Sequence, residues 1–368
     1  MGGYSGRASG RALVTGGCGF IGSSLVRRLV LDEGMPVLNV DKLTYASDPQ
    51  SLGDASRSPL YRHARIDICD GEALAASLAD FQPDVIYHLA AESHVDRSID
   101  GPMDVVRTNL LGTACVLEAA RAYWSALDSQ RRDAFRLVHV STDEVFGTLP
   151  LEGEARFRIG DPYAPNSPYA ASKAGADHLA RAWWRTYGLP VVVSNASNNF
   201  GPWQHPEKLI PTIVLAALSG APLPVYGRGV NVRDWLFVED HVDALLAVRH
   251  RGRPGAQYLA GGYGATSNIA LVSMICAALD RIAPDKNGPY ERLIAFVADR
   301  PGHDLRYDVD PEPLRTELGW HPRFTLSEGL ERTVAWYVAN FGRYASRLRE
   351  SGLVRRGIVS SREKAADS

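Results

Sequence analysis

The sequence predicts an α/β fold, a doubly wound parallel Rossmann sheet with a smaller α/β substrate-binding lobe. Strands and helices alternate through the first half of the 368 residues, which is typical of βαβ units with helices on both faces of a parallel sheet. A glycine-rich turn, T-G-G-C-G-F-I-G, follows the first predicted strand and opens the first predicted helix. After Ala196 the chain becomes richer in Asn, Gly and Pro, which indicates a second, less regular unit.

The individual elements follow from the hydrophobic periodicity of each segment. Short apolar runs predict strands at 11–15, 37–40, 61–66, 84–88, 137–141 and 191–194. Apolar residues at helical spacing predict helices between these strands at 20–32, 72–79, 103–124 and 169–187. Beyond Ala196 the same criterion predicts helices at 209–219, 239–250, 267–281 and 325–341. Ligands of open α/β sheets lie beyond the carboxyl ends of the strands, so we expect the smaller lobe to cover that cleft.

These segments predict a division of the chain into two folded units and a tail. Residues 10–197 with about 233–256 are expected to form the Rossmann domain that binds the dinucleotide. Residues 198–232 with about 257–345 are expected to form the substrate-binding lobe. The polar and charged segment 351–368 is predicted to be a disordered tail.

The composition argues against several classes of function. A net charge of −2 with interspersed acids and bases gives no electrostatic footprint for nucleic acid or a membrane surface. No apolar run reaches the roughly 18 residues of a transmembrane helix, and the polar N-terminus lacks the apolar core of a signal peptide. The four cysteines, Cys18, Cys69, Cys115 and Cys276, lack zinc-ligand spacing. We therefore expect no metal, and reduced thiols in the cytoplasm.

The glycine turn has the context of a dinucleotide site. Gly16, Gly19 and Gly22 would permit a tight turn, a close approach of backbone to pyrophosphate, and close helix–strand packing. The helix N-terminus that follows supplies amide donors and positive potential for phosphates. Asp41 ends the second predicted strand, where a carboxylate accepts hydrogen bonds from the adenosine ribose and repels a 2′-phosphate. The pattern therefore predicts NAD in preference to NADP. A further acid, Asp67, follows the third strand and is a weaker candidate for the adenine edge.

A second constellation carries reactive groups. Tyr169 and Lys173 form Y-x-x-x-K, and helical i,i+4 spacing puts the phenol and the ammonium on one face. A neighbouring cation would lower the pKa of the phenol, so that a phenolate could remove a proton from a hydroxyl group. A predicted strand also ends in S-T-D-E, with Thr142 followed by Asp143 and Glu144. If the strand continues, these neighbouring carboxylates point in different directions. A solvated strand end is the alternative interpretation of the two acids.

The ordered motifs resemble those of the extended short-chain dehydrogenases/reductases and, within them, the dTDP-glucose 4,6-dehydratases. The resemblance extends from Arg11 to about Phe341. Its motifs are TGGCGFIGS (15–23), DKLTYA (41–46), HLAAESHVDRSI (88–99), STDEVFG (141–147), YAASK (169–173), NNFGPWQHPEKLIP (198–211), RDWLFVEDH (233–241) and DRPGHDLRYD (299–308). Two positions differ from the usual family pattern, since Phe146 and Trp203 stand where Tyr is common. Both keep an aromatic ring, so we expect adjusted packing and unchanged chemistry.

The resemblance implies roles for the reactive residues. Tyr169 would be the base for the sugar 4-hydroxyl, Lys173 would lower the pKa of Tyr169 and bind the nicotinamide ribose, and Thr142 would hydrogen-bond the 4-hydroxyl. Asp143 would protonate the departing 6-hydroxyl, and Glu144 would remove the C5 proton. The implied reaction oxidises C4, eliminates water across C5–C6 and returns the hydride to C6.

The resemblance also implies the residues that hold the two ligands. The cofactor NAD would contact Gly16, Gly19, Phe20, Ile21, Gly22, Asp41, Lys42, Thr44, Asp67, Ile68, Leu89, Ala90, Ala91, Ser93, Thr108, Tyr169 and Lys173. The nucleotide sugar, dTDP-glucose, would contact Ser93, Thr142, Asn198, Lys208, Leu209, Pro224, Tyr226, Arg233, Asn268, Arg300, His303 and Tyr307. A homodimer is also implied, through the long helices at 103–124 and 169–187, although packing within one chain explains the same Ala-rich faces.

Three functional hypotheses remain open from the sequence. The first is a 4,6-dehydratase acting on dTDP-glucose, with a UDP-sugar as the alternative substrate because no single residue selects thymine. The second is another nucleotide-sugar enzyme of the same fold, a 4-epimerase or a uronic-acid decarboxylase, which would not need the Asp143–Glu144 pair. The third is a non-catalytic NAD-binding regulator, which would be expected to have lost a catalytic residue.

Overall fold

The computed structural model describes residues 10–262, 264–299 and 302–344. In these residues the strands β1 to β12 are Ala12–Thr15, Val37–Val40, Tyr61–Ala64, Val85–His88, Arg136–Thr142, Val191–Ala196, Asn198–Phe200, Leu223–Tyr226, Val232–Phe237, Gln257–Ala260, Ala265–Ser267 and Ile294–Val297. The helices α1 to α12 are Phe20–Arg27, Gly71–Phe81, Val95–Asp100, Pro102–Val105, Gly112–Ser125, Ser129–Ala134, Pro168–Tyr187, Leu209–Leu218, Val238–Arg251, Asn268–Ile282, Glu312–Leu318 and Leu326–Ala339.

Seven strands form the central sheet in the order β10-β6-β5-β4-β1-β2-β3. Every neighbouring pair in this sheet is parallel, and strand residues such as Val14, Val85 and Val192 are fully buried. Strands buried on both faces are expected where helices cover both sides of a parallel sheet. The predicted doubly wound α/β fold is therefore confirmed.

The two faces of the sheet carry separate apolar cores. On one face α1 and α9 contribute Leu25 and Leu245 to a buried cluster. On the other face α2, α5 and α7 contribute Leu74, Leu117 and Ala180. The chain leaves β1 for β2 on one side and reaches β4 on the other, so the strand order reverses between β1 and β4. Such a switch point opens a crevice at the carboxyl ends of the strands.

A second layer of structure lies above this crevice. It contains a three-stranded sheet, β11-β9-β7, and a two-stranded sheet, β12-β8. Helices α8, α10 and α12 pack together through a core that includes Ile213, Ile275 and Val334. One predicted boundary is displaced, because Gln257–Ala260 pairs with β6 in the central sheet, whereas residues from about 257 were expected in the lobe.

The structure differs from the predicted elements mainly in short or irregular segments. The helices predicted at 20–32 and 103–124 are each interrupted by a π-helical stretch, Arg28–Asp32 and Val106–Leu111. The 3₁₀ helix Pro49–Arg57 and the short helices α3, α6 and α11 were not predicted. These segments span too few turns for a clear apolar period.

Two further predictions concern the C-terminal tail and membrane-spanning helices. The tail predicted at 351–368 lies outside the described residues. In the part of the chain that the structure describes, no helix combines the length and apolar character needed to span a bilayer.

Candidate active site

The glycine turn between β1 and α1 is shaped by close backbone contacts. Gly16 has φ of 73°, and a Cβ there would lie 2.8 Å from the backbone of Ala90. A Cβ on Gly22 would lie 2.1 Å from the carbonyl oxygen of Gly16. The turn ends at Gly19, the N-cap residue of α1, which has no side chain to accept a hydrogen bond from the first amides of the helix. Phe20, Ile21 and Gly22 begin α1 directly after this turn, and first-turn amides of a helix can bind pyrophosphate.

Asp41 anchors the turn from the end of β2. Its Oδ2 accepts a hydrogen bond from the Cys18 amide at 2.9 Å, and its Oδ1 accepts from the Leu43 amide at 2.8 Å and the Ser47 hydroxyl at 3.0 Å. Each carboxylate oxygen can accept more than one hydrogen bond, so these contacts leave capacity for ribose hydroxyls. Nearby, Lys42 Nζ lies 3.3 Å from Asp67 Oδ2. The residues present therefore fit NAD better than a 2′-phosphorylated dinucleotide.

The loop after β4 forms the opposite wall of the crevice. Thr15 Oγ1 accepts hydrogen bonds from the amides of Leu89 and Ala90, at 3.2 and 3.1 Å. Asn109 holds the next turn by accepting from the Glu92 amide at 2.8 Å and donating to the Glu92 carbonyl at 2.9 Å. Asn109 was not predicted as a site residue, although its neighbour Thr108 was. Of the remaining cofactor candidates, Ala91 and Ser93 lie in this loop, whereas Thr44 follows β2 and Ile68 follows β3.

The two acids lie in a turn after the strand. β5 ends at Thr142, and Asp143 and Glu144 begin a 3₁₀ helix. Thr142 Oγ1 accepts from the Glu144 amide and donates to Asp143 Oδ1, both at 3.2 Å. The expectation that strand alternation separates the carboxylates is therefore wrong. The turn separates them instead, burying Asp143 while Glu144 stays partly accessible.

Burial determines the charge of Asp143. Desolvation, followed by the negative charges of Glu144 and Asp234, raises the pKa of Asp143 well above its ordinary value. Asp143 Oδ2 is buried and, within the described residues, has no hydrogen-bonding partner. A carboxyl group whose pKa is raised by its neighbour's charge is the arrangement that separates an acid from a base.

Helix α7 brings the phenol and the ammonium to the same place. Ser167 caps the helix and Pro168 occupies its first turn, so Tyr169 and Lys173 lie in the first turns, both buried. Tyr169 hydrogen-bonds the side chain of Thr142. Lys173 Nζ donates to the Val140 carbonyl at 2.7 Å. Tyr169 therefore lies beside the turn that carries the two acids.

Other groups oppose the effect expected of Lys173. The sequence predicted that Lys173, together with the positive nicotinamide ring, lowers the pKa of the Tyr169 phenol. In the structure, burial and then the charges of Glu144 and Asp143 raise that pKa. Burial also lowers the pKa of Lys173 to about 8. Burial and the two acids therefore oppose ionisation of the phenol.

The lobe contributes cationic and aromatic groups above the acids. The Arg233 guanidinium lies 4.1 Å from the ring centroid of Tyr307 and donates to the Asp304 carbonyl at 2.9 Å. Glu144 raises the pKa of Tyr307, although burial has the larger effect. His303 lies 2.7 Å from Asp299, and its ring meets the ring of Tyr226.

The other substrate candidates belong to the same lobe or its edge. Lys208 reaches across the crevice and donates to the Ser93 carbonyl at 2.8 Å. Leu209 starts α8, Asn268 starts α10, Asn198 starts β7 and Pro224 lies in β8. Arg300 lies outside the described residues. Among the residues that are described, no cluster of three or more His, Cys, Asp or Glu side chains is arranged to hold a metal ion.

Asp234 is a buried carboxylate that sequence reasoning did not single out. It accepts from the amides of Gly262 and Gly264, at 2.9 and 3.2 Å, and its charge raises the pKa of Asp143. Burial raises the pKa of Asp234 itself to about 6. The sequence shows that it directly follows Arg233. The hydrogen bonds that hold its carboxylate come from a loop that is distant in sequence.

Fold and site together define a dinucleotide-dependent enzyme of the extended short-chain dehydrogenase/reductase type, with an added acid pair. The family model described as GDP-mannose 4,6 dehydratase matches residues 13–333. A dTDP-glucose 4,6-dehydratase of Escherichia coli K12 is 52% identical over 337 residues, 90% of this chain and 93% of the relative. One from Neisseria gonorrhoeae is 53% identical over 331 residues, covering 89% and 95%. The chain therefore belongs to the family of the dTDP-glucose 4,6-dehydratases.

Solved structures agree with this assignment. The dTDP-glucose 4,6-dehydratase DesIV from Streptomyces venezuelae, crystallised with NAD, is 42% identical with a TM-score of 0.81, covering 90% of this chain and 98% of that chain. A UDP-glucose 4-epimerase from Thermus thermophilus, in complex with NAD, is 29% identical with a TM-score of 0.77, covering 89% and 99%. The epimerase shares the fold, so the acid pair must be used to decide between the two activities.

Proposed function

We propose that the protein is an NAD-dependent dTDP-glucose 4,6-dehydratase, a hydro-lyase that forms dTDP-4-keto-6-deoxyglucose for deoxysugar biosynthesis. The observation that carries this proposal is the buried Asp143 beside Glu144, in a turn that also meets Tyr169. An epimerase expels no water and needs no such pair. The catalytic roles below are proposals on the same basis.

In the first step, Tyr169 removes the proton of the 4-hydroxyl. Thr142, which hydrogen-bonds the phenol, aligns that hydroxyl with Tyr169. The Lys173 ammonium, buried four residues further along α7, stabilises the phenolate by its charge. When bound, NAD⁺ supplies the hydride acceptor for C4 and, in its reduced form, the hydride donor for C6. The product of this step is a 4-keto sugar, whose ketone acidifies the proton on C5.

In the second step, the acid pair eliminates water across C5–C6. Glu144, the more accessible carboxylate, removes the C5 proton, and Asp143 donates its proton to the departing 6-hydroxyl. The raised pKa of Asp143 supports this assignment, because a carboxyl group that holds its proton more readily can donate it at the moment the hydroxyl leaves. Glu144 then returns a proton to C5 when C6 receives the hydride.

The lobe residues are proposed to hold the nucleotide. Arg233, Lys208 and Arg300 would neutralise the diphosphate, since Arg can engage it through two hydrogen bonds. Asn198 and Asn268 would add amide donors. A UDP-sugar remains the alternative substrate, and a direct comparison of the two nucleotides as substrates decides between them.

The assembly and location are also proposals. We infer a homodimer through the exposed faces of α7 and of the helical segment 103–124, where Leu111, at the end of the π-helical stretch before α5, and Tyr187 are about half exposed. Four free cysteines support a reducing compartment, the cytoplasm. The two-unit division is also proposed, with its boundary moved beyond β10, so that residues 10–197 and about 233–260 hold NAD and the lobe holds the nucleotide sugar.

The test uses dTDP-glucose deuterated at C4. A dehydratase moves the label to C6 of the same molecule and yields a 4-keto-6-deoxy sugar. Label that stays at C4 with an inverted hydroxyl would assign the protein to the epimerases. No turnover with any sugar nucleotide would instead support a regulator that binds NAD.

A further inference from the structure

A buried carboxylate outside the acid pair lies one helical turn after Lys173. Asp177 is fully buried, and its oxygens contact three side chains. Oδ1 lies 3.0 Å from His139 Nε2, while Oδ2 accepts from the Tyr163 hydroxyl at 2.8 Å and from Asn195 Nδ2 at 2.9 Å. The Asp177 carboxylate on α7 is therefore hydrogen-bonded to side chains from β5, β6 and the loop before α7.

The surrounding hydrogen bonds keep Asp177 ionised. Burial alone would raise the pKa of Asp177, but the hydrogen bond and charge of His139, together with the charge of Lys173, lower it below its ordinary value. Burial and Lys173 lower the pKa of His139, although Asp177 opposes this. Of the three groups bonded to Asp177, only His139 can carry a positive charge, and its burial opposes that charge.

Lys173 is the cation that this arrangement faces. The i,i+4 spacing on α7 brings its side chain within about 6 Å of Asp177 at the Cβ positions. The other titratable groups near its ammonium are His139 on β5 and His88 on β4, which lies 5.4 Å from His139 between ring centroids. Both imidazoles are buried, and their pKa values are lowered. Asp177 is the negative charge that opposes the desolvation of Lys173.

We propose that Asp177 is a positioning residue whose charge holds Lys173 in the ammonium form beneath the phenol of Tyr169. Through Asn195, which also donates to the Thr142 carbonyl at 3.0 Å, the same carboxylate fixes the end of β5 relative to α7. Asp177 contacts neither ligand in this proposal and acts through Lys173 and Thr142. The catalytic consequence depends on the proposed function, but the charge of Lys173 can be measured independently.

The direction of the effect follows from the charge. A buried ion left without its partner changes protonation state. In Asp177→Asn, Lys173 would lose its proton at a pH about one to two units lower than in the wild type. A neutral Lys173 no longer stabilises the phenolate, so oxidation at C4 would slow at neutral pH by about 2- to 10-fold.

Selective labelling makes the measurement direct. The chain has five lysines, at 42, 173, 208, 286 and 364, so lysine labelled with ¹³C at Cε gives few NMR signals. Wild type, D177N and the control Y163F would be titrated as NAD-bound protein, with the Lys173 signal assigned by its loss in K173M. Y163F removes one hydrogen bond from the same carboxylate and leaves the charge.

The expected result is a Lys173 titration shifted to lower pH in D177N and unchanged in Y163F. An unshifted titration in D177N, or an equal shift in Y163F, overturns the proposal. Should D177N not fold, K173M is combined with it, and the charge role predicts that the double variant folds. Failure of the double variant to fold, where K173M alone folds, also overturns it. A shifted Lys173 titration in D177N, together with no dehydration of dTDP-glucose by the wild type, would refute the proposed function instead.

Discussion

Replacing Asp143 by Asn and Glu144 by Gln separates the two halves of the proposed reaction. The new carboxamide at position 143 can still accept from Thr142 Oγ1, which lies 3.2 Å from Oδ1 in the wild type, so the turn is retained. This carboxamide cannot donate a carboxyl proton, and the one at position 144 cannot accept the proton of C5. General acid and base groups contribute about 10²–10⁴-fold each. We expect elimination to slow by at least about 10³-fold, or about 4 kcal/mol in the barrier.

Oxidation at C4 responds differently to the same change. In the wild type, burial raises the pKa of Tyr169 most, and the charges of Glu144 and Asp143 raise it further. The double variant removes both acids as sources of negative charge beside the phenol, so phenolate forms at least as easily and hydride leaves C4 at least as fast. Stopped-flow absorbance should therefore show NADH that forms and persists, whereas in the wild type it is consumed.

The control for this experiment is a pair of exposed acids in the following loop. Glu152→Gln with Glu154→Gln removes two charges from exposed positions and should leave both steps unchanged. Full dehydration by the D143N/E144Q variant would refute the roles assigned to the acid pair. Absence of NADH formation would show that the pair also serves the oxidation step.

Three further outcomes are expected. Gly22→Ala should abolish copurification of NAD, because its Cβ would lie 2.1 Å from a carbonyl of the turn, whereas Gly71→Ala, with nothing within 4 Å, should retain it. Tyr169→Phe should form no NADH with substrate, while Tyr187→Phe, at the exposed end of the same helix, should behave as wild type; NADH formation by the former would exclude Tyr169 as the base. Burial raises the pKa of Asp234 to about 6, so its folded state holds a proton that the unfolded state releases near pH 4. Stability from this group is present below about pH 4 and is lost as pH rises through about 6. Between about pH 4 and 6 the free energy of unfolding, measured with urea, should therefore fall by up to about 3 kcal/mol less in Asp234→Asn than in the wild type. Parallel pH curves for the two proteins would contradict this.

The sequence could predict those elements that depend on hydrophobic periodicity or on a contiguous motif. The central strands and long helices were predicted because each contains several repeats of its apolar spacing. The glycine turn was predicted because strand, turn and helix are contiguous. The turn of Asp143 and Glu144 was not predicted, because a strand that stops at Thr142 looks the same in sequence as one that continues. Asp234 was not singled out either, since its hydrogen-bond donors are Gly262 and Gly264, far along the chain.

The protonation state of the site was also beyond the sequence. The motif Y-x-x-x-K correctly predicted that Tyr169 and Lys173 share a helix face. It could not reveal that Asp143 and Glu144 would lie close enough to raise the pKa of the phenol. That effect depends on how deeply the turn is buried and on which elements surround it.

These shifts have one common source that explains how two adjacent carboxyl groups can take opposite roles. The charge of Glu144 raises the pKa values of Asp143, Tyr169 and Tyr307, in each case next after burial itself. A single negative charge on Glu144 therefore favours the protonated forms of the neighbouring side chains. In the proposed mechanism, removing the C5 proton would neutralise Glu144 and so remove the charge that raises those pKa values. Asp143 would then become a stronger acid when the 6-hydroxyl must leave. The electrostatic interaction between the two acids would thus couple deprotonation at C5 to protonation of the leaving group.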